Sequence, residues 1–368
     1  MYGEFGNAYK GTRVLITGHT GFKGSWLSLW LCELGAEVIG YALTPETTPN
    51  LFEISRLEKT MNSITGDIRD FRMLADIMSE YKPVIVFHLA AQAIVRKSYR
   101  DPVKTYDTNI MGTINIFEAC RQTPSVKAII IVTSDKCYEN QEWVWGYRET
   151  DPVGGYDPYS ASKGCAEIIT ESYRRSFLPL DKYREVHETL VASVRAGNVI
   201  GGGDWGEDRL VPDIIRAASN NEKIQIRSPH AIRPWQHVLE PLSGYLLLGQ
   251  QLLEGRKEFS GAWNFGPRDE DHRNVLGVVR ELQKHWSKIS YKIEADGKNL
   301  HEAVSLKLDC SKAYSNLNWR PVWNGSATFA KTATWYKEFY ESGNISSGKQ
   351  LIEYVADAVQ NQILWAVQ

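Results

Sequence analysis

Cysteine is scarce: five residues in 368, at Cys32, Cys120, Cys137, Cys165 and Cys310. Their number is odd, their spacing wide, and no C-x-x-C pair occurs. That excludes a disulfide framework and a zinc site and fits a reducing compartment. An excess of one charge is missing too, because 42 Lys plus Arg against 44 Asp plus Glu leave a formal net charge of −2. A sequence-independent nucleic-acid binder would carry a basic surplus, so that class is set aside. A membrane span needs roughly 18 or more apolar residues in a row. The most apolar stretch, 25–43, is broken by Glu33, Gly35 and Glu37. Residues 1–10 contain Glu4 and no apolar core, unlike a signal peptide. Repeats and low-complexity segments are absent as well. With 43% apolar and 23% charged residues, a globular cytoplasmic enzyme is the expectation.

What is present is an alternation. Short apolar runs at 13–17 (RVLIT), 37–43, 84–89 (VIVFHL), 127–133 (KAIIIVT) and 189–195 (TLVASVR) read as strands. Helical spacing at 23–34, 71–80, 105–120 and 160–177 separates them. Continuous rather than alternating apolar runs belong to parallel strands covered on both faces. The pattern predicts an α/β fold with a doubly wound parallel sheet of the Rossmann type. After Gly197 the texture changes to loops, prolines and tryptophans, with a helix over 212–219. We therefore expect a dinucleotide-binding domain over 1–196, with a helical return around 236–255. A smaller substrate-binding lobe would then fill 197–368.

Three motifs carry chemistry. Thr17-Gly18-His19-Thr20-Gly21-Phe22-Lys23-Gly24 follows the first strand and opens a helix. Glycines there expose backbone N–H groups to a phosphate without Cβ obstruction, and the helix dipole adds positive potential. Tyr159-Ser160-Ala161-Ser162-Lys163 puts a phenol and an ammonium four residues apart on one helix face. A phenol acting as base near neutral pH needs its pKa lowered by ~3 units, which a neighbouring cation favours. Thr133-Ser134-Asp135-Lys136 ends the fourth apolar run, at the sheet edge where ligands bind in such folds. Each has a plain structural alternative: a turn, a surface pair, a strand-ending cap. Their order and placement together are more specific than any one. His88 on an apolar strand reads as a satisfied core residue, the later tryptophans as packing, and Cys137 as no nucleophile.

Together with Asp67-Ile68-Arg69, His88-Leu89-Ala90-Ala91-Gln92, Asn109-x-x-Gly112-Thr113, Arg195-x-x-Asn198-x-x-Gly201 and Arg233-x-Trp235, these motifs resemble the extended short-chain dehydrogenase/reductase family of nucleotide-sugar epimerases and dehydratases. The resemblance covers residues 10–248. Within that family an acid after the active-site Ser marks 4,6-dehydratases. Asp135 followed by Lys136, rather than by Glu, is similar to the branch acting on CDP-glucose. A 4-epimerase, a dehydratase for another nucleotide hexose and a non-catalytic NAD-binding regulator stay open.

The resemblance implies NAD as cofactor and CDP-glucose as substrate. It also implies a place in bacterial deoxysugar synthesis of the O-antigen type, and a homodimer or homotetramer. Metal, membrane and nucleic-acid partners are not expected. It assigns dinucleotide contacts to Gly18, Gly21, Phe22, Lys23, Gly24, Asp67, Ile68, Ala90 and Ala91. The run Gly40-Tyr41-Ala42-Leu43-Thr44 lacks the acid that usually holds the adenosine 2′-hydroxyl, and no Arg replaces it. Tyr159 would take the C4 hydroxyl proton, with Ser134 on the same oxygen. Lys163 would hold the ribose and depress the Tyr159 pKa. Asp135 would protonate the departing C6 hydroxyl, and Lys136 would remove the C5 proton. Asn198, Arg209, Arg233, Trp235 and His237 are the candidate substrate contacts. Arg233 is the choice for the diphosphate, since its planar fork suits phosphate oxygens.

Overall fold

The computed structural model describes residues 3–226, 228–293 and 306–367. Its frame is a seven-stranded sheet: β1 (Arg13–Thr17), β2 (Glu37–Ala42), β3 (Asn62–Thr65), β4 (Ile85–His88), β5 (Ala128–Val132), β6 (Leu190–Ala196) and β7 (Gly261–Phe265). All pairings are parallel, in the order β7-β6-β5-β4-β1-β2-β3. The order reverses at β1, so the crevice beyond the carboxyl ends of β1 and β4 is the place for a ligand.

Both sheet faces are covered, which is why the strands read as unbroken apolar runs. Val14, Ile16, Ile85 and Phe87 face one core, while Leu15, Val86, Ile129 and Ile131 face the other. The first core is closed by α1 (Phe22–Glu33) and by a later helix over Leu239–Leu253. The second is closed by α2 (Phe71–Tyr81), α3 (Gly112–Arg121) and α4 (Pro158–Ser176). Side-chain caps fix two of these starts: Asp70 accepts from the Met73 N–H at 3.1 Å, and Asp157 from the Ser160 N–H at 3.0 Å. Such caps satisfy N–H groups that the helix itself leaves unpaired.

The segment after Gly197 gives α5 (Leu210–Ser219), α6 (Leu239–Leu253), α7 (Val275–His285), α8 (Gly325–Ser342) and α9 (Ser347–Gln360). Three two-stranded ladders join 223–226 to 290–293, 199–200 to 236–237, and 232–233 to 273–274. Of the stretch 197–368, residues 227, 294–305 and 368 lie outside the described residues. β7 and α6 belong to the sheet layer although they lie in this stretch. The chain end also returns to the sheet side. Trp365 stacks on Phe5 at 5.0 Å and meets Trp30 edge-on at 5.6 Å.

Candidate active site

The turn after β1 is built from contacts that only glycine permits. Gly18 sits at φ +77°, and a Cβ there would lie 2.8 Å from the Ala90 nitrogen. A Cβ on Gly24 would lie 2.1 Å from the Gly18 carbonyl oxygen. Gly21 is the helix N-cap and offers no side-chain acceptor, and a Cβ there would meet only the Gly18 carbonyl oxygen, at 3.4 Å. The first N–H groups of α1 therefore face the cleft free of side-chain caps, as an anionic phosphate requires. Thr17 ties the two strand ends together: its hydroxyl meets His88 Nδ1 at 2.7 Å and accepts from the Ala90 N–H at 3.2 Å. His88, also 3.3 Å from Thr113, is a buried structural residue held neutral by burial, with its pKa pushed down to about 3.

Phe22, Lys23, Asp67, Ile68, Ala90 and Ala91 line the same cleft as the turn. Asp67 is not free: its carboxylate takes a bidentate grip from Arg69, with a shortest contact of 2.7 Å, and that guanidinium holds its pKa down. Where an acid is missing at the end of β2, His19 is buried against Phe52 and meets Ser63 Oγ at 2.8 Å.

Across the cleft, α4 starts at its Asp157 cap and directs Tyr159 and Lys163 to the end of β5. Ser134 hydrogen-bonds the Tyr159 phenol and donates to Asp135 Oδ1 at 2.9 Å. Asp135 is buried, and desolvation raises its pKa although Lys136, Ser134 and Arg233 pull it down. A protonated carboxyl is what a proton donor must be. Lys136 is half-buried on the cleft wall.

Burial pushes the Tyr159 phenol up to about 12, offset in part by Ser134 and Arg209. Lys163 donates to the Val132 carbonyl at 3.1 Å, and burial lowers it to about 8.

Asn198, Arg209, Arg233 and Trp235 line the cleft on the other lobe. Asp204 orients Arg209 through a 2.9 Å ion pair. Trp235 is turned inward, its indole N–H donating to the Arg273 carbonyl at 3.1 Å. His237 is set apart from these and is a correction: it is fully buried, wedged between Trp26 and Trp323, with its pKa near 3 from desolvation. Its neighbour Gln236 pairs with β-strand residue Val199, and that register turns the imidazole into the core.

One support escaped the sequence, and one candidate contact stands nearer the chemistry than its sequence position suggests. Glu167, one turn beyond Lys163, is buried in a 2.8 Å ion pair with Arg195 and accepts from Thr133 and Ser193. It braces the Thr133-Ser134 turn. Arg209 reaches the Tyr159 phenol closely enough to stabilise its anion. For Glu167 the available signal was its i+4 spacing from Lys163; for Arg209, expected at the substrate, nothing in the sequence pointed to Tyr159.

The cleft encloses about 2110 Å³. Single-ligand pockets run to roughly 1,000 Å³, so two nucleotide-sized molecules fit side by side. Among the described residues no cluster of His, Cys, Asp or Glu is placed to hold a metal, and no helix is long and apolar enough to cross a membrane.

Residues 15–332 match the family described as GDP-mannose 4,6 dehydratase. The chain is 52% identical over 353 residues to a CDP-glucose 4,6-dehydratase of Salmonella typhimurium, covering 95% of this chain and 98% of that protein. A dTDP-glucose 4,6-dehydratase of Xanthomonas campestris is 26% identical over 88% of this chain and 92% of its own. In fold, a dTDP-glucose 4,6-dehydratase of Bacillus anthracis, solved with NAD, superposes with a TM-score of 0.74 over 90% of this chain and 98% of that one, at 20% identity. A UDP-glucose 4-epimerase of Thermotoga maritima, solved with UDP-glucose, gives a TM-score of 0.74 at 23% identity over 89% and 99%.

Proposed function

The chain belongs to the GDP-mannose 4,6 dehydratase family, and from that premise we propose that it is a hydro-lyase converting CDP-glucose to CDP-4-dehydro-6-deoxyglucose. The observation that carries this reading is the buried carboxyl of Asp135, kept towards its protonated form within the Ser134–Tyr159 cluster. An epimerase, which expels no hydroxyl, has no use for a proton donor there.

The residues present fit NAD: the uncapped N–H groups of Phe22 and Lys23 with Gly18, Gly21 and Gly24 would take its phosphates, and Ile68, Ala90, Ala91 and Lys163 its nucleosides. When bound, NAD accepts the electrons released at C4 and returns them at C6, so the reaction is redox-neutral overall. The chain's own work is proton management. Tyr159 Oη receives the C4 hydroxyl proton while Ser134 Oγ hydrogen-bonds the same oxygen. Oxidation at C4 places a carbonyl beside C5 and makes the C5 proton acidic. Lys136 Nζ removes that proton, and Asp135 gives its own to the C6 hydroxyl, which leaves as water; as C6 is reduced, Lys136 returns its proton to C5, and the proton taken up at Tyr159 restores Asp135. Each positioned acid or base is worth ~10²–10⁴-fold in rate. Arg233 and Arg209 hold the substrate diphosphate, with Asn198 and Trp235 beside them.

The reading extends to a homo-oligomer working in the cytoplasm. Val103, Met111 and Ile168 leave exposed apolar side chains on the helical layer containing α3 and α4, a surface suited to a second copy. Mass spectrometry of products from CDP-, dTDP-, GDP- and UDP-glucose tests the reaction. A product lighter by one water from CDP-glucose supports it; an epimer of unchanged mass overturns it.

A further inference from the structure

A ring of buried contacts closes around the turn that carries Asp135 and Lys136. At the start of the turn the Thr133 hydroxyl donates to Glu167 Oε1. At its end stands Tyr138, 1% exposed, whose hydroxyl donates to Asn264 Oδ1 on β7 at 2.8 Å. Arg195 Nη1 donates to that same phenol oxygen at 2.7 Å. The other arm of Arg195, Nη2, reaches Glu167 Oε2 at 2.8 Å, where the Ser193 hydroxyl also donates at 2.7 Å. One carboxylate thus anchors both ends of the segment 133–138, directly at Thr133 and by way of Arg195 at Tyr138. Glu167 also rides on α4, one turn beyond Lys163 and two beyond Tyr159. Asn264 is itself fixed, because its amide nitrogen donates to the Tyr147 carbonyl at 2.8 Å and the Asp309 carbonyl at 3.1 Å.

We propose that Tyr138 is a positioning residue for the elimination half of the reaction: through Arg195 and Glu167 its hydroxyl holds the Asp135-Lys136 turn in register with Tyr159. The inference rests on the dehydratase reading above. Tyr159, Ser134 and Lys163 act at C4, whereas Asp135 and Lys136 act at C5 and C6. Ser134 is set by the Thr133 arm of the ring and by its own hydrogen bond to Tyr159. Asp135, Lys136 and Cys137 instead form one short helical turn that ends on Tyr138. Its backbone continues into two further contacts, Glu139 N–H to the Pro152 carbonyl at 3.0 Å and Gly154 N–H to the Cys137 carbonyl at 2.8 Å. A buried hydrogen-bonded network of this kind stiffens the groups it joins. Proton transfer needs its heavy atoms within about 3 Å of each other, and a misplacement of ~1 Å costs ~10²-fold. Tyr138 contributes no proton of its own, since its oxygen is already engaged by Arg195 and Asn264.

Tyr138→Phe keeps the ring and its stack on Tyr147 at 5.0 Å, and frees Arg195 and Asn264 from the hydroxyl. In the full-length protein with NAD and CDP-glucose, rapid-mixing absorbance follows oxidation at C4, and mass spectrometry follows uptake of solvent deuterium at C5. In the variant the oxidation rate and KM stay unchanged, while C5 exchange and product formation slow roughly tenfold or more, so that reduced cofactor accumulates. A purely structural role would slow both steps alike; that result overturns the proposal, as does an unchanged ratio of the two rates. Tyr147→Phe is the control from the same aromatic stack. Its hydroxyl holds Asn140 Oδ1 and the Gln141 N–H, outside the ring of contacts, and its loss leaves the ratio as it is. An equal shift in Tyr147→Phe means general loosening and also overturns the proposal. Should Tyr138→Phe not fold, Arg195→Lys takes its place: it keeps a charge beside Glu167 but has no second arm for Tyr138. The selective loss at C5 is expected there too, and equal slowing of both steps overturns the proposal. An unmutated protein that neither oxidises C4 nor exchanges C5 would instead sink the dehydratase reading.

Discussion

At the scale of single residues, the proposed reaction is divided between the triplet Ser134-Asp135-Lys136 and the pair Tyr159/Lys163, two segments 23 or more positions apart in the chain. Replacing Tyr159 by Phe leaves the ring and its packing but removes the hydroxyl proposed as proton acceptor. We expect turnover to fall by at least ~10³-fold, with the fold intact by circular dichroism; near-normal turnover would exclude the role. Lys136→Ala separates the steps. Oxidation at C4, followed by cofactor absorbance, should persist, while exchange of the C5 hydrogen with solvent deuterium should slow by ~10²-fold or more. Unchanged exchange would remove Lys136 as the base. That these candidates share one cleft was legible because their pattern is local: a hydroxyl, an acid and an amine in sequence, and an i,i+4 pair. Their protonation states were not. Tyr159 sits near 12 and Asp135 is raised because of burial by segments distant in sequence, and no local spacing reports that.

At the scale of elements, the glycine turn makes a sharp demand. Gly24→Ala would drive a Cβ to 2.1 Å from the Gly18 oxygen, so the strand–helix junction itself must move. Gly21→Ala meets nothing closer than 3.4 Å within the protein, yet its Cβ would sit at the mouth of the phosphate cradle. Loss of melting temperature and of NAD binding is expected for Gly24→Ala. For Gly21→Ala the expected result is an unchanged melting temperature with weakened NAD binding. A Gly21→Ala protein that binds NAD normally would show that the turn is no cradle. Strands β1, β2, β4, β5 and β6 were readable because each is an apolar run buried on both faces. β3 was not: Asn62–Thr65 is an edge strand with three exposed residues, so it carries little apolar signal. β7 was missed for another reason. Gly261–Phe265 is buried, but it joins the sheet beside β6, with Gly261 opposite Ala192, through a connection that includes α5, α6 and much of the second lobe. His237 was misread similarly, since a motif neighbour of Arg233 and Trp235 gains its surroundings from Trp26 and Trp323.

At the scale of the whole molecule, the two lobes share a core, and one carboxyl fastens them. Glu240 on α6 is buried and accepts from the N–H groups of Val322 at 2.9 Å and Trp323 at 2.8 Å, and from the Tyr354 hydroxyl at 2.7 Å. It therefore pins the strand-side helix to the loop before α8 and to α9. Desolvation outweighs those donors and raises its pKa from 4.5 to about 7. Because the folded state binds this proton more tightly than the unfolded chain does, the contribution is full below pH 4.5. It is lost progressively as pH rises to 7, where the charged form must be kept buried. The size is roughly 3 kcal/mol, since a tenfold difference in proton affinity between folded and unfolded chain is worth ~1.4 kcal/mol. Urea unfolding at pH 5 and pH 7.5 should show this as a stability loss with rising pH, against which other titrating groups are common to the control. Glu240→Gln cannot ionise, and although it forfeits one acceptor and starts lower, its loss between the two pH values should be smaller by roughly 2 kcal/mol, the part of that amount falling between pH 5 and 7.5. Equal slopes in both proteins would mean that the carboxyl is ionised throughout this range.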